Sequence, residues 1–319
     1  MTVPPLGPGA EFDVIRNVLR DAVAPGAMVA LGAGDDCALL RTDGGYYAVT
    51  VDLFVEGVHF RSAWGSPEEV GGRAVRAAIS DLAAMAADPV GVLVSLSLPA
   101  GQGAELAGLI GHGCRAAAEA LDAALIGGDL SRGGSQLTLD VAAVGSVREP
   151  QLRSGARPGD EIWVSGALGG AAAAVAAWKS ESPVREKWRE RFWRPTPRLR
   201  EARWLAERGA VAAIDLSDGL LADAGHVAAA SGVGIEIDWA AIPAAPGVDT
   251  ELALGGGEDY ELLVAVPRGI LSDEDIAEFN QAFAIPLTRV GRAVSGTGVR
   301  VFRDGAEVEV ASRGFDHLM

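Results

Sequence analysis

The residues of this chain best suited to chemistry fall in six short acidic motifs. They are Gly34-Asp35-Asp36, Thr50-Val51-Asp52, Ser80-Asp81, Gly127-Gly128-Asp129, Asp215-Leu216-Ser217-Asp218 and Gly255-Gly256-Gly257-Glu258-Asp259. Each borders an apolar segment, where a strand or helix begins or ends, and functional groups concentrate on loops held by such rigid elements. Two carboxylates about 4 Å apart repel by roughly 4 kcal/mol at the effective dielectric of a protein surface. A convergent cluster of them therefore implies bound cations. Oxygen-only donors suit Mg²⁺, which keeps several waters and bridges carboxylates to phosphates. The four histidines are scattered, which argues against a zinc centre. Asp beside Gly is also ordinary turn chemistry, and Asp43-Gly44 and Asp304-Gly305 read as plain turns with no function.

Apolar periodicity and breakers outline the elements that must position these motifs. Helical spacing covers Glu11 to Ala24 up to Pro25-Gly26, then the alanine-rich Pro67 to Ala87, and Glu105 to Leu121. Strands are predicted at Cys37 to Arg41 and Tyr46 to Val51 around the turn at Asp43, at Val90 to Leu98 and at Leu137 to Val147. A short strand at Ala124 to Ile126 is predicted to deliver Gly127-Gly128-Asp129 at its end. Pro150, Gly155, Pro158 and Gly159 mark a boundary, dividing the chain into 1–148 and 149–319. Beyond it, strands at 162–164, 212–214, 235–237, 262–266 and 287–290 alternate with helices at 166–178, 220–230 and 273–284, and another helix follows Pro195-Thr196-Pro197. The charged stretch 185–194 is assigned no element, and 299–310 reads as a hairpin around Asp304-Gly305. The class is α/β or α+β with two lobes.

A net charge of −16 disfavours nucleic acid and anionic membranes as partners. Cys37 and Cys114 are too few for a disulfide framework and read as reduced core thiols. Met1 to Gly9 lacks the basic start and apolar core of a signal peptide, and runs such as Val90 to Leu98 fall well short of the ~20 residues that span a bilayer. A cytoplasmic protein is expected. There is no Gly-Lys pair for a P-loop, no Gly-x-Gly-x-x-Gly after a strand and no His-Glu-x-x-His, which disfavours P-loop enzymes, Rossmann dehydrogenases and zincins.

Leu31-Gly32-Ala33-Gly34-Asp35-Asp36-Cys37-Ala38 resembles the glycine-Asp-Asp opening of thiamine-monophosphate kinases. Asp52 to Phe60, Ser80 to Ala87, Gly127-Gly128-Asp129, Ile214 to Leu220 and Gly256 to Leu262 resemble that family's further motifs, in the same order and along nearly the whole chain. Blocks such as Ser217-Asp218-Gly219 also resemble the wider superfamily of aminoimidazole-ribonucleotide synthetase and selenophosphate synthetase. The resemblance implies ATP-dependent conversion of thiamine monophosphate to thiamine diphosphate. It also implies a two-lobed synthetase-like fold, whose N-terminal lobes pair into a dimeric β-barrel, and a C-terminal α/β lobe. Carried over residue by residue, Asp36, Thr50, Val51, Asp52, Asp81, Asp129, Asp215 and Asp218 would bind several Mg²⁺ ions, Val51 only through its carbonyl. Gly128, Asp129, Arg153 and Ser217 would hold ATP, while His59, Glu258 and Phe315 would hold thiamine monophosphate. Asp218 and Arg153 are the implied catalytic groups in a homodimer.

Two other readings stay open at this stage. One is a different ATP-using synthetase of the superfamily. However, the first 36 residues hold no cysteine for selenophosphate chemistry, and the chain is expected to end His317-Leu318-Met319 rather than in the cysteine of the hydrogenase-maturation relatives. The other is a non-catalytic acidic metal-binding protein, which would bind Mg²⁺ without nucleotide turnover.

Overall fold

The computed structural model describes residues 7, 9–20, 26–310 and 314–315. After helix α1 (Ala10–Arg20), the first lobe carries strands β1 (Val29–Leu31), β2 (Ala38–Thr42) and β3 (Gly45–Val55), helix α2 (Pro67–Ala84), β4 (Asp88–Leu98), helix α3 (Ala104–Glu119), β5 (Ala124–Arg132) and β6 (Thr138–Val147). Its sheet runs in the order β1-β2-β3-β6-β4-β5. Neighbours are antiparallel except β4 and β5, which α3 joins by a crossover, as parallel strands require. The helix expected at 11–24 is seen to Arg20, and residues 21–25 lie outside the described residues.

Strand alternation sorts the side chains of this sheet. On β3, Ala48 and Phe54 are buried on the side that faces α2, and Thr50 and Asp52 share that side; Tyr47, Val51 and Leu53 are exposed on the other. The second face is left bare, with Leu93 and Ile126 exposed on it along with Val51 and Leu53. Among the described residues the sheet is open, with β1 and β5 at its edges.

Helix α2 starts at a capping box, in which Ser66 Oγ accepts the Glu69 N–H, Glu69 returns a carboxylate to the Ser66 N–H, and Pro67 follows the cap. It packs closely on α3 because two glycines face each other's backbone. A Cβ on Gly113 would lie 2.0 Å from Glu68 O, and one on Gly71 would lie 2.2 Å from Ile110 O. Gly→Ala within an exposed helix normally stabilises by about 1 kcal/mol. At Gly113 the sign reverses. Gly113→Ala is expected to destabilise by about 1–3 kcal/mol, as overpacking does. The check is a lower urea midpoint at unchanged m.

The second lobe carries β7 (Glu161–Ser165), α4 (Gly170–Lys179), α5 (Glu186–Trp193), α6 (Leu199–Glu207), β8 (Ala212–Asp215), α7 (Leu220–Ser231), β9 (Gly234–Asp238), α8 (Thr250–Gly255), β10 (Leu262–Val266), α9 (Asp273–Phe283), β11 (Leu287–Val294), β12 (Gly298–Arg303) and β13 (Ala306–Val308). Its sheet runs β13-β12-β9-β11-β7-β10-β8, antiparallel except where β12 meets β9. Antiparallel neighbours dominate both sheets, so the mixed fold is of the α+β kind. Helix α2 is shared between the lobes. Phe192, Trp193, Leu199 and Tyr260 join the first lobe's core, while Ala84 and Ala86 pack with Trp163, Ala202 and Leu205 of the second.

Two local expectations are corrected. Gly127-Gly128-Asp129 lies inside β5 rather than after it, because pairing with β4 continues to Arg132 past a bulge at Val92/Leu93. The stretch 185–194 contains α5, whose Trp188 and Phe192 lie one helical turn apart; Phe192 and Trp193 form edge contacts with Trp178. Tertiary aromatic packing supplies what the charged local sequence lacks. Asp43 and Asp304 lie in the turns predicted for them. Among the described residues, no helix is long and apolar enough to cross a membrane.

Candidate active site

Four of the six acidic motifs meet where α2 crosses from one lobe to the other. Asp36 comes from the β1–β2 loop, Asp81 from α2 and Asp215 from the last residue of β8; each offers an oxygen within 4.8 Å of the others. Neighbours aim these groups. Thr50 Oγ1 on β3 donates to Asp81 Oδ2 at 2.5 Å, and Ser80 Oγ donates to Asp215 Oδ2 at 2.6 Å. Arg153, in the connection between the lobes, donates from Nη2 to Asp36 Oδ1 at 2.8 Å, and its backbone N–H donates to Asp35 at 3.2 Å. Asp36 Oδ2 is buried without a hydrogen-bond partner. An orphaned anionic oxygen amid oxygen-only donors is what a hard divalent cation requires, so these residues fit Mg²⁺.

The electrostatics agree. Burial pushes Asp215 up to about 8, with Asp36 adding. Burial and then Asp36 raise Asp35 to about 7. Burial raises Asp52 to about 6, with the charges of Asp140 and Asp218 contributing. Asp81 is held well above the usual carboxylate range by burial, then by Asp52, Asp215 and Asp36. Burial opposes the charge on Arg153, but Asp36, Asp35 and Asp81 outweigh it and raise its pKa.

These shifts set a stability slope. Unfolded aspartates titrate near 3.9, so between about pH 5 and 8 the metal-free folded state binds more protons than the unfolded one, and its stability falls as pH rises. Mg²⁺ bound by these carboxylates would displace those protons, so the stabilisation it gave would grow over the same range. Melting temperatures in EDTA should be lower at pH 8 than at pH 6, with MgCl₂ raising Tm more at pH 8. Equal melting temperatures in EDTA at the two pH values would contradict this.

A second group adjoins the first. Asp218, Asp223 and His226 also place one ligand atom each within 4.8 Å of one another. Asp223 Oδ2 accepts the N–H groups of Asp218 at 3.2 Å and Gly219 at 3.0 Å, fixing the loop that opens α7. His226 Nδ1 accepts the Gly7 N–H at 3.2 Å, and its ring packs on Phe12 at 4.1 Å. Burial, with Arg153 and Arg16 nearby, holds His226 down to about 3, so the ring is neutral.

The motif from Gly256 to Glu261 divides its acidic residues among different tasks. Asp259 Oδ2 accepts the Gly169 N–H at 2.7 Å and so caps α4, which begins without a side-chain cap of its own. Glu261 is buried and bonded to Arg198 at 2.7 and 2.5 Å, Arg191 at 2.6 Å and Ser165 at 2.6 Å. Only Glu258 is turned to the cleft. It holds a left-handed φ of +69°, gives its N–H to Ser217 O at 2.7 Å and accepts a hydrogen bond from Arg73. Gly257 is required for this approach, since a Cβ there would lie 2.4 Å from Ser217 O.

The other sequence-predicted residues lie around this centre. Phe315 has an exposed ring, and its N–H donates to Asp218 O at 3.0 Å, which holds residue 315 against the Ser217-Asp218 loop. His59 Nδ1 accepts the Val55 N–H at 3.0 Å and closes the end of β3, its ring 5.5 Å from Phe54. Asp129 is not in either carboxylate group. It lies on β5 opposite Ser95, which faces Asp140 on β6, and these residues with Ser97, Ser131 and Thr138 line a cavity of about 130 Å³ on the sheet's bare side. The side chain of Val51 is exposed on that same side. Gly128 lets β5 approach β4, where a Cβ would lie 1.9 Å from Val94 O.

Asp35, Arg73, Ser80, Asp140, Asp223 and His226 were not singled out from the sequence for roles at the site. Asp35 and Ser80 stood inside the quoted motifs, and Asp140 was an acidic break in an alternating strand. Arg73 sits seven residues before Ser80, which puts both on one helical face.

Residues 34–147 match the model of the AIR synthase related protein, N-terminal domain, and residues 157–304 that of the AIR synthase related protein, C-terminal domain. The chain is 35 % identical over 326 residues to a thiamine-monophosphate kinase of Salmonella typhimurium, covering 97 % of this chain and 98 % of the relative. It is 36 % identical over 283 residues to that of Mycobacterium tuberculosis, covering 83 % and 84 %. Among solved structures, AaThiL complexed with AMPPCP and TMP is similar at TM-score 0.81 and 32 % identity, covering 96 % of this chain and 95 % of that one.

Proposed function

The chain belongs to the thiamine-monophosphate kinase family within the AIR synthase related proteins, and from that premise we propose that it transfers the γ-phosphoryl group of ATP to thiamine monophosphate, releasing ADP and thiamine diphosphate. The observation that carries the chemistry is the Asp36–Asp81–Asp215 cluster, with Asp36 and Asp215 buried and one Asp36 oxygen unpartnered. The complex of AaThiL with AMPPCP, an ATP analogue, and TMP supports the same pair of substrates.

Mg²⁺, when bound, would supply neutralisation of the phosphate charge. Asp36, Asp52, Asp81, Asp215 and Asp218 would hold it, with Thr50 and Ser80 fixing the carboxylates of Asp81 and Asp215. Asp129 and the Val51 carbonyl are the remaining proposed metal donors, and Asp129 lies on the face of the first sheet opposite the cluster. Arg153 and Asp218 are the proposed catalytic groups. Arg153 brings a guanidinium into the cluster that can turn to a transferring phosphate, while Gly128, Asp129 and Ser217 would hold the nucleotide. His59, Glu258 and Phe315 would grip thiamine monophosphate. The acceptor is a phosphate whose second pKa is near 6, so it is already a dianion at pH 7 and needs no general base. Catalysis then rests on positioning and charge stabilisation.

The division at residue 148, a cytoplasmic location and a homodimer belong to this reading. A second copy laid on the bare face of the first sheet would cover Val51, Leu53, Leu93 and Ile126 and close the N-terminal lobes into a barrel. A single turnover with γ-labelled ATP tests direct transfer. The label should pass to thiamine diphosphate with none on the protein. Labelled protein would overturn the in-line step, and release of label only as inorganic phosphate would overturn the kinase reading.

A further inference from the structure

Helix α2 carries a cation as well as Asp81. Arg73 is only 1 % exposed, and it lies on the face of α2 that also presents Ser80 to the second lobe. Its nitrogens have separate tasks. Nη1 donates to the Phe192 carbonyl, Nη2 donates to Glu258 Oε1, and Nε is buried without a partner. The guanidinium lies 3.8 Å from the centroid of the Phe192 ring. Glu258 is the one carboxylate recorded in an ion pair with it among the described residues. A buried cation with a single counter-ion strongly constrains where that counter-ion sits.

Glu258 is thereby tied to both lobes. Its backbone N–H is bonded to Ser217 O of the second lobe, and its side chain is bonded to α2 of the first. The side chain remains 26 % exposed, so one carboxylate oxygen is committed to Arg73 while the other is presented to the cleft. We propose that Arg73 is the positioning residue for Glu258, setting the carboxylate that grips the cationic, amine-bearing part of the acceptor substrate in register with the carboxylate cluster on the same helix. This rests on the kinase reading and on Glu258 as a substrate contact. Thiamine monophosphate carries a permanent thiazolium cation and an amino-pyrimidine, both suited to a fixed carboxylate; ATP carries no such cation. The effect of Arg73 therefore falls on one substrate.

The test is steady-state kinetics of wild type, Arg73→Met, Arg73→Lys, Glu258→Gln and the Arg73→Met/Glu258→Gln double variant, with folding followed by near-UV circular dichroism. Losing a charge-assisted contact is expected to raise KM for thiamine monophosphate about tenfold or more in Arg73→Met, with KM for ATP and kcat within about threefold of wild type. Glu258→Gln should do the same, and the double variant should be no worse than the weaker single. Arg73→Lys, with one nitrogen for two partners, should raise that KM severalfold, and it carries the test if the Met variant does not fold. An unchanged KM for thiamine monophosphate, an equal rise in KM for ATP, or multiplying effects in the double variant would overturn the assignment. Wild type inactive on thiamine monophosphate would instead remove the kinase reading, and this inference with it.

Discussion

Asp81→Asn is expected to lower kcat/KM at least about a thousandfold while leaving the metal-free protein as stable as wild type or more so, since metal-assisted charge stabilisation is worth several kcal/mol. The two effects have one cause. Asp81 is surrounded by Asp36, Asp52 and Asp215, and burial together with those charges holds its carboxyl far above the usual range. Asn keeps the shape and still accepts the hydrogen bond from Thr50, but it removes the cost of holding an ionisable carboxyl among Asp36, Asp52 and Asp215. Without metal that relieves strain; with metal it removes a ligand. In EDTA at pH 8 the variant should melt at or above the wild-type temperature, and the rise in Tm on adding MgCl₂ should shrink. Near-normal turnover at saturating Mg²⁺ would exclude Asp81 from the metal site.

Arg153→Ala should behave in the opposite way, losing activity and stability together. Its guanidinium is the cation bonded to Asp36. Removing one partner of a buried pair leaves an uncompensated charge and costs about 3–5 kcal/mol. The loss should be largest in EDTA at pH 8. It should be smaller at pH 6, where Asp35 and Asp215 keep their protons, and smaller again with Mg²⁺ present to replace the lost positive charge. Asp35 stays anchored, because it is bonded to the backbone of residue 153 rather than to the side chain. Urea unfolding at the two pH values, with and without MgCl₂, reads all of these differences. A uniform loss, or none, would show that Arg153 does not balance the cluster.

Much of the fold and the carboxylate core was legible in the sequence, because strands and helices end at breakers and the acidic motifs sit at those ends. Asp36, Asp81 and Asp215 are carried by three separate elements that the apolar patterns outline. What stayed hidden depends on contacts remote in sequence. Asp129 reads as the end of a short strand until β4 is seen to extend β5 beyond it. Glu258, Asp259 and Glu261 are near neighbours of like charge, yet one faces the cleft, one caps a helix and one neutralises two arginines. Residue type cannot separate them, because each role is set by the partner that arrives. Arg73 and Glu258 meet across 185 residues, and neither local pattern predicts the other.

The most direct test of the central claim is acceptor-dependent turnover by the purified protein with ATP and MgCl₂, resolving thiamine, thiamine monophosphate and thiamine diphosphate chromatographically. The kinase account predicts that thiamine monophosphate is converted to thiamine diphosphate with one ADP released per product, that free thiamine is not phosphorylated, and that EDTA stops the reaction. Folded protein that binds ATP and Mg²⁺ but forms no thiamine diphosphate from thiamine monophosphate would contradict it.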